Sequence, residues 1–189
     1  MIIHKLFPTV IAEFDLSNSL NSNNIKNELD RYYSDDTDHS LVEEGFSSYN
    51  KIDILNTPNF SIVKELFQDC VNQYTSALEL VPVNISNSWF NVMEKSSKTG
   101  LHRHEGSICS GAFYPFVKDN SSDLKFHNPL KPYRMNDLFL SENHLNTYFH
   151  YVPAKENTLY IFPSWLEHET DINQSDKRYV ISFNTDRAK

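Results

Sequence analysis

The sequence has few cysteines and no cluster of basic residues, and each shortage excludes a class of protein. Cys70 and Cys109 lack CxxC spacing, so they provide neither a disulfide framework nor a thiolate zinc site. We expect two buried thiols in a reducing compartment. The net charge is −8, and no run of Lys or Arg is present to neutralise a phosphate backbone. This charge distribution argues against nucleic acid as a partner.

Long apolar segments are also absent. No stretch approaches the roughly 18 uninterrupted apolar residues that span a bilayer. The apolar amino terminus is interrupted by His4, Lys5, Pro8 and Glu13, which is not the pattern of a signal peptide. We therefore predict a cytoplasmic protein without a membrane partner. The sequence does not decide whether the chain forms a homodimer.

The chain is long enough and apolar enough to fold as one domain. It has 189 residues, of which 39% are hydrophobic and 13% are aromatic, whereas a disordered chain would be poor in both. It contains no internal repeat, linker or low-complexity tract. We predict a single domain over residues 1–189, and hence a single site.

The first half carries two helical patterns. Ile25, Leu29, Tyr32 and Tyr33 recur at helical spacing behind the polar run 22–24, which is suited to capping a helix start. A longer apolar stripe follows Pro58 and comprises Phe60, Val63, Phe67, Cys70, Val71, Tyr74 and Leu78. The pattern predicts a helical layer at about residues 20–80 that packs against a sheet.

The second half changes to short runs rich in β-branched and aromatic residues. Turn-forming residues separate these runs, which are 85–94, 107–117, 123–129, 146–153, 157–163, 166–172 and 178–184. Seven short strands at about residues 85–187, after two helices, predict a mainly β fold with flanking helices. We expect an antiparallel sandwich or barrel with the helices on one outer face. Residues 118–150 are expected to contain the loops that select the substrate.

Three histidines and one arginine stand out as candidates for chemistry. His102 and His104 precede a strand, and residues two apart on an extended chain point to the same side. His168 could complete a set of three ligands if the fold brings its strand beside theirs. Three nitrogen ligands on one face leave open positions on a metal, which iron oxygenases require. Arg178 lies ten residues further on, and a buried guanidinium suits a carboxylate.

Each of these residues also has an ordinary explanation when taken alone. A histidine pair can form hydrogen bonds without a metal, and an arginine can be solvated or paired with an acid. Alternation places Arg178, Val180, Ser182 and Asn184 on one face of the last strand. Only the joint order of HxH, a distal His and an Arg favours a metal site.

That order resembles the double-stranded β-helix dioxygenases, which use iron(II) and 2-oxoglutarate. The segments GLHRHEGSICSGAFYPF and LYIFPSWLEHETDINQSDKRYVISFN, with SNSWFNVME upstream, are similar to a family of 2-oxoglutarate/iron oxygenases from bacteria and phages. The resemblance covers roughly residues 85–187. It implies a jelly-roll or cupin-like core, and a host-cell cytoplasm if the source is a phage.

The resemblance also implies an activity and a set of site residues. His102, His104 and His168 would bind Fe(II), and Arg178 would bind the distal carboxylate of 2-oxoglutarate. The reaction would hydroxylate a small molecule, peptide or protein and release succinate and CO2, with no catalytic residue beyond the metal ligands. Three further residues are candidates for contact with the cosubstrate: Tyr114, Asn91 and Ser182. For Tyr114 and Asn91 the alternative is a packing role.

Two positions depart from the pattern of the wider superfamily. His104 stands where Asp or Glu is usual, so Glu105 is an alternative ligand, and Val180 stands where many members have Ser or Thr. The first departure leaves open a three-His iron dioxygenase that does not use 2-oxoglutarate. A non-catalytic β-barrel module that binds metal structurally is a further alternative. His127 and His150 lie in predicted strands, as core residues or as supports of the site.

Overall fold

The computed structural model describes residues 1–4, 6–33, 41–133 and 139–188. Within them, nine antiparallel strands form two sheets. The larger sheet has the order β1-β7-β4-β9-β3-β2 and the smaller one the order β6-β5-β8. The strands are β1 (Ala12–Asp15), β2 (Val42–Ser47), β3 (Val83–Thr99), β4 (Cys109–Phe116), β5 (Leu124–His127), β6 (Phe149–Val152), β7 (Thr158–Pro163), β8 (His168–Thr170) and β9 (Lys177–Arg187).

The inner face of the large sheet packs on the small sheet. Strand β4 directs Ala112 and Tyr114 inward, where they pack with residues of the small sheet such as Leu124 and Phe126. The intervening Phe113 points to the opposite side and joins a second apolar cluster. This alternation follows from the two-residue period of a strand. The fold is a mainly β sandwich of the double-stranded β-helix type, as predicted.

Two helices cover the outer face of the large sheet. They are α1 (Ser22–Leu29) and α2 (Ser61–Ala77). The Phe67 ring of α2 lies 5.0 Å from the ring of Phe113 and 5.8 Å from that of Phe183, measured between centroids. Gly111 makes room for this layer, because a Cβ at that position would lie 2.2 Å from the Phe183 ring. The predicted helical stripe is therefore the face that packs on the sheet.

Helix α1 is held to the sheet by a carboxylate at its end. Asp30 accepts hydrogen bonds from Lys26 at 2.6 Å and from the Tyr179 hydroxyl at 2.5 Å. Burial alone would raise the pKa of Asp30, but these two hydrogen bonds, together with the charges of Lys26 and Lys177, outweigh it and hold the pKa below its usual value. The ionised carboxylate thus stabilises the docked helix.

Most of the predicted elements are confirmed, with two corrections. All seven predicted strands are present, but the region predicted to be helical also contains β2, and β1 was not foreseen. Strand β2 has two adjacent glutamates and a bulge between Glu43 and Gly45, so it lacks clean alternation. Its pairing with β3 decides its conformation. The cap of α1 is Asn21, whose Oδ1 accepts from the Asn24 N–H at 3.0 Å, and not the predicted run 22–24.

The structure also bears on the cysteines and on membrane segments. Cys70 and Cys109 are buried free thiols, as predicted. Burial, with a smaller contribution from Asp69, raises the pKa of Cys70 to about 11. In the described ranges no helix is long and apolar enough to cross a membrane.

Candidate metal and cosubstrate site

The turn after β7 brings His168 beside His102. The N–H of His102 donates to the carbonyl of His168 at 3.0 Å, and the N–H of His168 donates back at 2.9 Å. The N–H of His104 donates to the carbonyl of Ser164 at 2.9 Å. Backbone hydrogen bonds therefore join the HxH segment to the segment of the third histidine. The fold thus brings the strand of His168 beside the HxH segment, as a set of three ligands requires.

The three imidazoles converge on one point. One ring nitrogen from each of His102, His104 and His168 lies within 4.8 Å of the others. The ring centroids are 4.2 Å apart for His102 and His168, 5.0 Å for His104 and His168, and 5.1 Å for His102 and His104. No other group of three or more potential ligands of this kind occurs in the part of the chain that is described.

Hydrogen bonds to the Nδ1 atoms of the histidines direct their Nε2 atoms to the role of metal ligands. His102 Nδ1 lies 2.8 Å from the carbonyl oxygen of Gly100, and His168 Nδ1 lies 2.9 Å from that of Leu166. A carbonyl can only accept, so Nδ1 carries the proton and Nε2 keeps its lone pair. His104 Nε2 is buried without a hydrogen-bond partner. A cation among these nitrogens would satisfy it.

Two of the imidazoles, His104 and His168, are kept neutral, as metal ligands must be. Burial, and then the neighbouring His102, lower the pKa of His104 to about 4. The same causes, together with His104, hold the pKa of His168 well below its usual value. Three converging imidazole nitrogens fit a divalent iron with open positions.

Arg178 adds a buried cation to the same site. Its side chain is 1% exposed, its Nη1 donates to the carbonyl of Ser122, and its Nε has no hydrogen-bond partner. The guanidinium carbon lies 5.5 Å from the centre of the Tyr114 ring. Among the described carboxylates none forms an ion pair with it, although Asp123 contributes a favourable field. A buried charge of this kind is costly unless an anion compensates it.

A cavity connects the histidines with Arg178, and its space amounts to about 460 Å³ when the open solvent at its mouth is counted. The three residues predicted to contact the cosubstrate, Tyr114, Asn91 and Ser182, all line it. Asn91 is buried, and its Oδ1 has no partner. The apolar part of the wall is formed by Trp89, Ala112, Leu124, Phe162 and Val180. The cavity wall thus combines three imidazoles, an apolar patch and a guanidinium.

Comparison with protein families identifies the chain. The family described as "Putative 2OG-Fe(II) oxygenase" matches residues 87–184, which is just over half of the sequence. The chain belongs to this oxygenase family. All three histidines and Arg178 lie inside the match. None of the curated proteins matches the sequence.

Solved structures share the fold of this oxygenase at low identity. A Pseudomonas putida prolyl-4-hydroxylase aligns with a TM-score of 0.63 and 10% identity, over 96% of this chain and 94% of the other. HygX from Streptomyces hygroscopicus, with nickel, 2-oxoglutarate and hygromycin B bound, aligns at 0.62 and 13%, over 95% and 84%. A viral collagen prolyl hydroxylase from Paramecium Bursaria Chlorella virus-1, in a 2OG complex, aligns at 0.61 and 8%, over 94% and 96%.

The other residues of this oxygenase that the sequence suggested for the site lie outside the histidine cluster. Glu105 is exposed and forms an ion pair with Arg103 at 2.8 Å, so it does not stand in for His104. His127 contacts Glu169 at 2.9 Å, and His150 is exposed. Of the expected specificity region 118–150, residues 134–138 lie outside the described residues.

Sequence reasoning missed the residues that support the site from behind. Ser110 and Asn184 contact His104, and Ser122 contacts Arg178. Alternation had placed Asn184 on the face of Arg178, but its contact with His104 depends on the pairing of β4 with β9. Asn173 is fully buried and its Oδ1 accepts from the Ser122 N–H at 3.0 Å, which holds this loop beside Arg178. No local signal identified these roles.

Proposed function

We propose that this protein is a 2-oxoglutarate-dependent Fe(II) dioxygenase that hydroxylates a small molecule or a side chain of a peptide or protein. His102, His104 and His168 would hold the iron, and Arg178 would bind the distal carboxylate of 2-oxoglutarate. The observation that carries the proposal is the cavity, which joins three converging imidazoles to a buried arginine that pairs with none of the described carboxylates.

The positive charges of the proposed iron and of Arg178 favour a cosubstrate that is a dianion. Three neutral imidazoles leave both positive charges of a divalent iron uncompensated, and Arg178 adds a third in the same cavity. A 2-oxo dicarboxylate offers one carboxylate to the metal and the other to Arg178. The buried Nε of Arg178 is a donor awaiting an acceptor, and guanidinium–carboxylate pairs are among the strongest hydrogen-bonded contacts in proteins.

The residues of the chain then have distinct tasks. When bound, Fe(II) and 2-oxoglutarate supply the oxidation: dioxygen delivers one oxygen atom to the substrate and one to succinate, with release of CO2. Arg178 fixes the direction of the cosubstrate, and Tyr114, Asn91 and Ser182 line its path. Trp89 packs 5.5 Å from the His104 ring, between centroids, and with Phe162 it limits the access of water to the ligands.

The substrate class is inferred from the site and from the different activities and ligands of proteins that share the fold. The cavity mouth is open and its wall is partly apolar, which suits an organic substrate of modest size or a protruding side chain. The similar structures include prolyl hydroxylases and an enzyme with hygromycin B bound. The acidic net charge of −8 argues against nucleic acid.

The test is an anaerobic titration of the Fe(II)-loaded protein with 2-oxoglutarate, followed by visible absorption. A charge-transfer band that saturates with 2-oxoglutarate is expected, since its keto and carboxylate oxygens would chelate the metal. Iron binding without such a band would favour a three-His dioxygenase that does not use 2-oxoglutarate. Failure to bind iron would favour a non-catalytic module.

Two histidine variants locate the metal in the same experiment. His168→Ala should lose iron binding and remain folded, because it removes a ligand but no member of either apolar cluster. His150→Ala is the matched control, since this histidine is exposed and lies outside the cluster. Unchanged iron affinity in His168→Ala would refute the assignment of the ligands.

A further inference from the structure

The three histidines differ in what holds their Nδ1 atoms. Those of His102 and His168 contact backbone carbonyls, which no substitution removes. That of His104 contacts side chains, at 2.5 Å from Asn184 Oδ1 and 2.8 Å from Ser110 Oγ. The orientation of one imidazole in the cluster therefore depends on the identity of its neighbours.

The contacts around Asn184 form a connected network. Ser110 Oγ donates to Asn184 Oδ1 at 2.8 Å and lies 2.7 Å from Ser164 Oγ, and both serines are fully buried. The carbonyl of Ser164 in turn accepts from the backbone N–H of His104 at 2.9 Å. The amide oxygen thus receives two donors in a closed ring of contacts, which restricts its rotation.

This arrangement determines the tautomer of His104. An amide oxygen only accepts hydrogen bonds, so the facing Nδ1 must carry the proton. Nε2 then keeps its lone pair, and it is this atom that is buried without a partner. With the opposite tautomer, Nε2 would carry a hydrogen and could not bind a metal.

We propose that Asn184 is a positioning residue that makes His104 a metal ligand, by accepting its Nδ1 hydrogen and fixing the ring. The inference rests on the proposed function, because it requires the histidine cluster to bind metal. It assigns a second task to strand β9. Asn184 lies six residues after Arg178 on the same face, so one strand would orient both the metal ligand and the cosubstrate.

The experiment measures binding of cobalt(II) alone to purified protein by calorimetry and by its ligand-field spectrum. Asn184→Leu keeps the approximate shape and removes the acceptor, whereas Asn184→Asp keeps an acceptor in its place. Asn72→Ala, on the exposed side of α2, is the control for an unrelated asparagine. Unfolding curves without metal verify that each variant is folded, and Asn184→Ala replaces the leucine variant if that one is not.

Loss of the acceptor should weaken cobalt affinity by about 10–100-fold, as is usual when the partner of a ligand histidine is removed. The aspartate variant should bind at least as tightly as the wild type, because a carboxylate accepts the same hydrogen. A folded leucine or alanine variant with unchanged affinity would overturn the proposal. So would an aspartate variant as weak as the leucine variant.

His168→Ala in the same assay separates this inference from the proposed function. If His168→Ala also keeps its cobalt affinity, the histidine cluster is not the metal site and both proposals fall. If His168→Ala loses cobalt while Asn184→Leu binds normally, only the role of Asn184 is refuted.

Discussion

Replacing Arg178 by methionine should separate ligand binding from folding, because the guanidinium is buried without an ion pair in the described structure. Charge-assisted hydrogen bonds contribute about 1.5–3 kcal/mol each. Loss of two bonds to a carboxylate should therefore weaken 2-oxoglutarate binding by at least about 3 kcal/mol. Since about 1.4 kcal/mol is a factor of ten, the dissociation constant should rise more than about 100-fold.

The same substitution should change stability little. Exchanging a buried ion pair for apolar side chains of similar volume is often neutral or stabilises a protein by about 1–4 kcal/mol, and the removal of a buried cation that lacks an anionic partner should act in the same direction. The carbonyl of Ser122, which accepts from Arg178, would lose its donor at a cost of about 1–3 kcal/mol. The two effects offset each other. The free energy of unfolding should stay within about 2 kcal/mol of the wild type.

Thermal unfolding of the Fe(II)-loaded protein under anaerobic conditions measures both effects. At 2-oxoglutarate equal to 100 times the wild-type Kd, the ligand should stabilise the wild type by about 2.7 kcal/mol and a variant with 100-fold weaker binding by about 0.4 kcal/mol. Arg178→Lys is the control that keeps the charge without the planar fork. An Arg178→Met variant that binds 2-oxoglutarate normally, or is destabilised by several kcal/mol, would refute the reasoning.

Three further predictions concern single side chains. Gly111→Ala should lower the free energy of unfolding by about 1–3 kcal/mol in a denaturant titration, because its Cβ would displace the Phe183 ring; a neutral effect would contradict the packing. Tyr114→Phe should weaken 2-oxoglutarate binding by about 0.5–1.5 kcal/mol in the titration described above if its hydroxyl contacts the cosubstrate, and an unchanged affinity would leave it a packing residue. Asp30→Asn should destabilise the protein near neutral pH but not in strong acid. The folded-state pKa is lowered, so the stabilisation is present above the unfolded pKa and is lost as pH falls through the folded one; an equal deficit at both pH values would disprove this.

Local patterns identified most of the elements and the chemistry-bearing residues. Short runs of β-branched and aromatic residues marked all seven strands after residue 80, and helical spacing marked the face of α2 that packs on the sheet. Strand β2 was not predicted, because its sequence carries no such pattern. It becomes a strand through hydrogen bonds to β3. Pairing between distant segments has no local signature.

The same distinction between local pattern and tertiary structure applies to the site. The residue types and their order on the chain indicated His102, His104, His168 and Arg178, because the chemistry of a ligand or a cation belongs to the side chain itself. The tertiary structure decided that Glu105 points to solvent, that Asn184 faces His104 and that Ser122 faces Arg178. These contacts join residues 56 to 80 positions apart, so they exist only once strand pairing and the buried turns bring the segments together. The sequence by itself therefore determined which side chains are candidates for binding a metal and a carboxylate, and the fold alone decided how each is oriented and held.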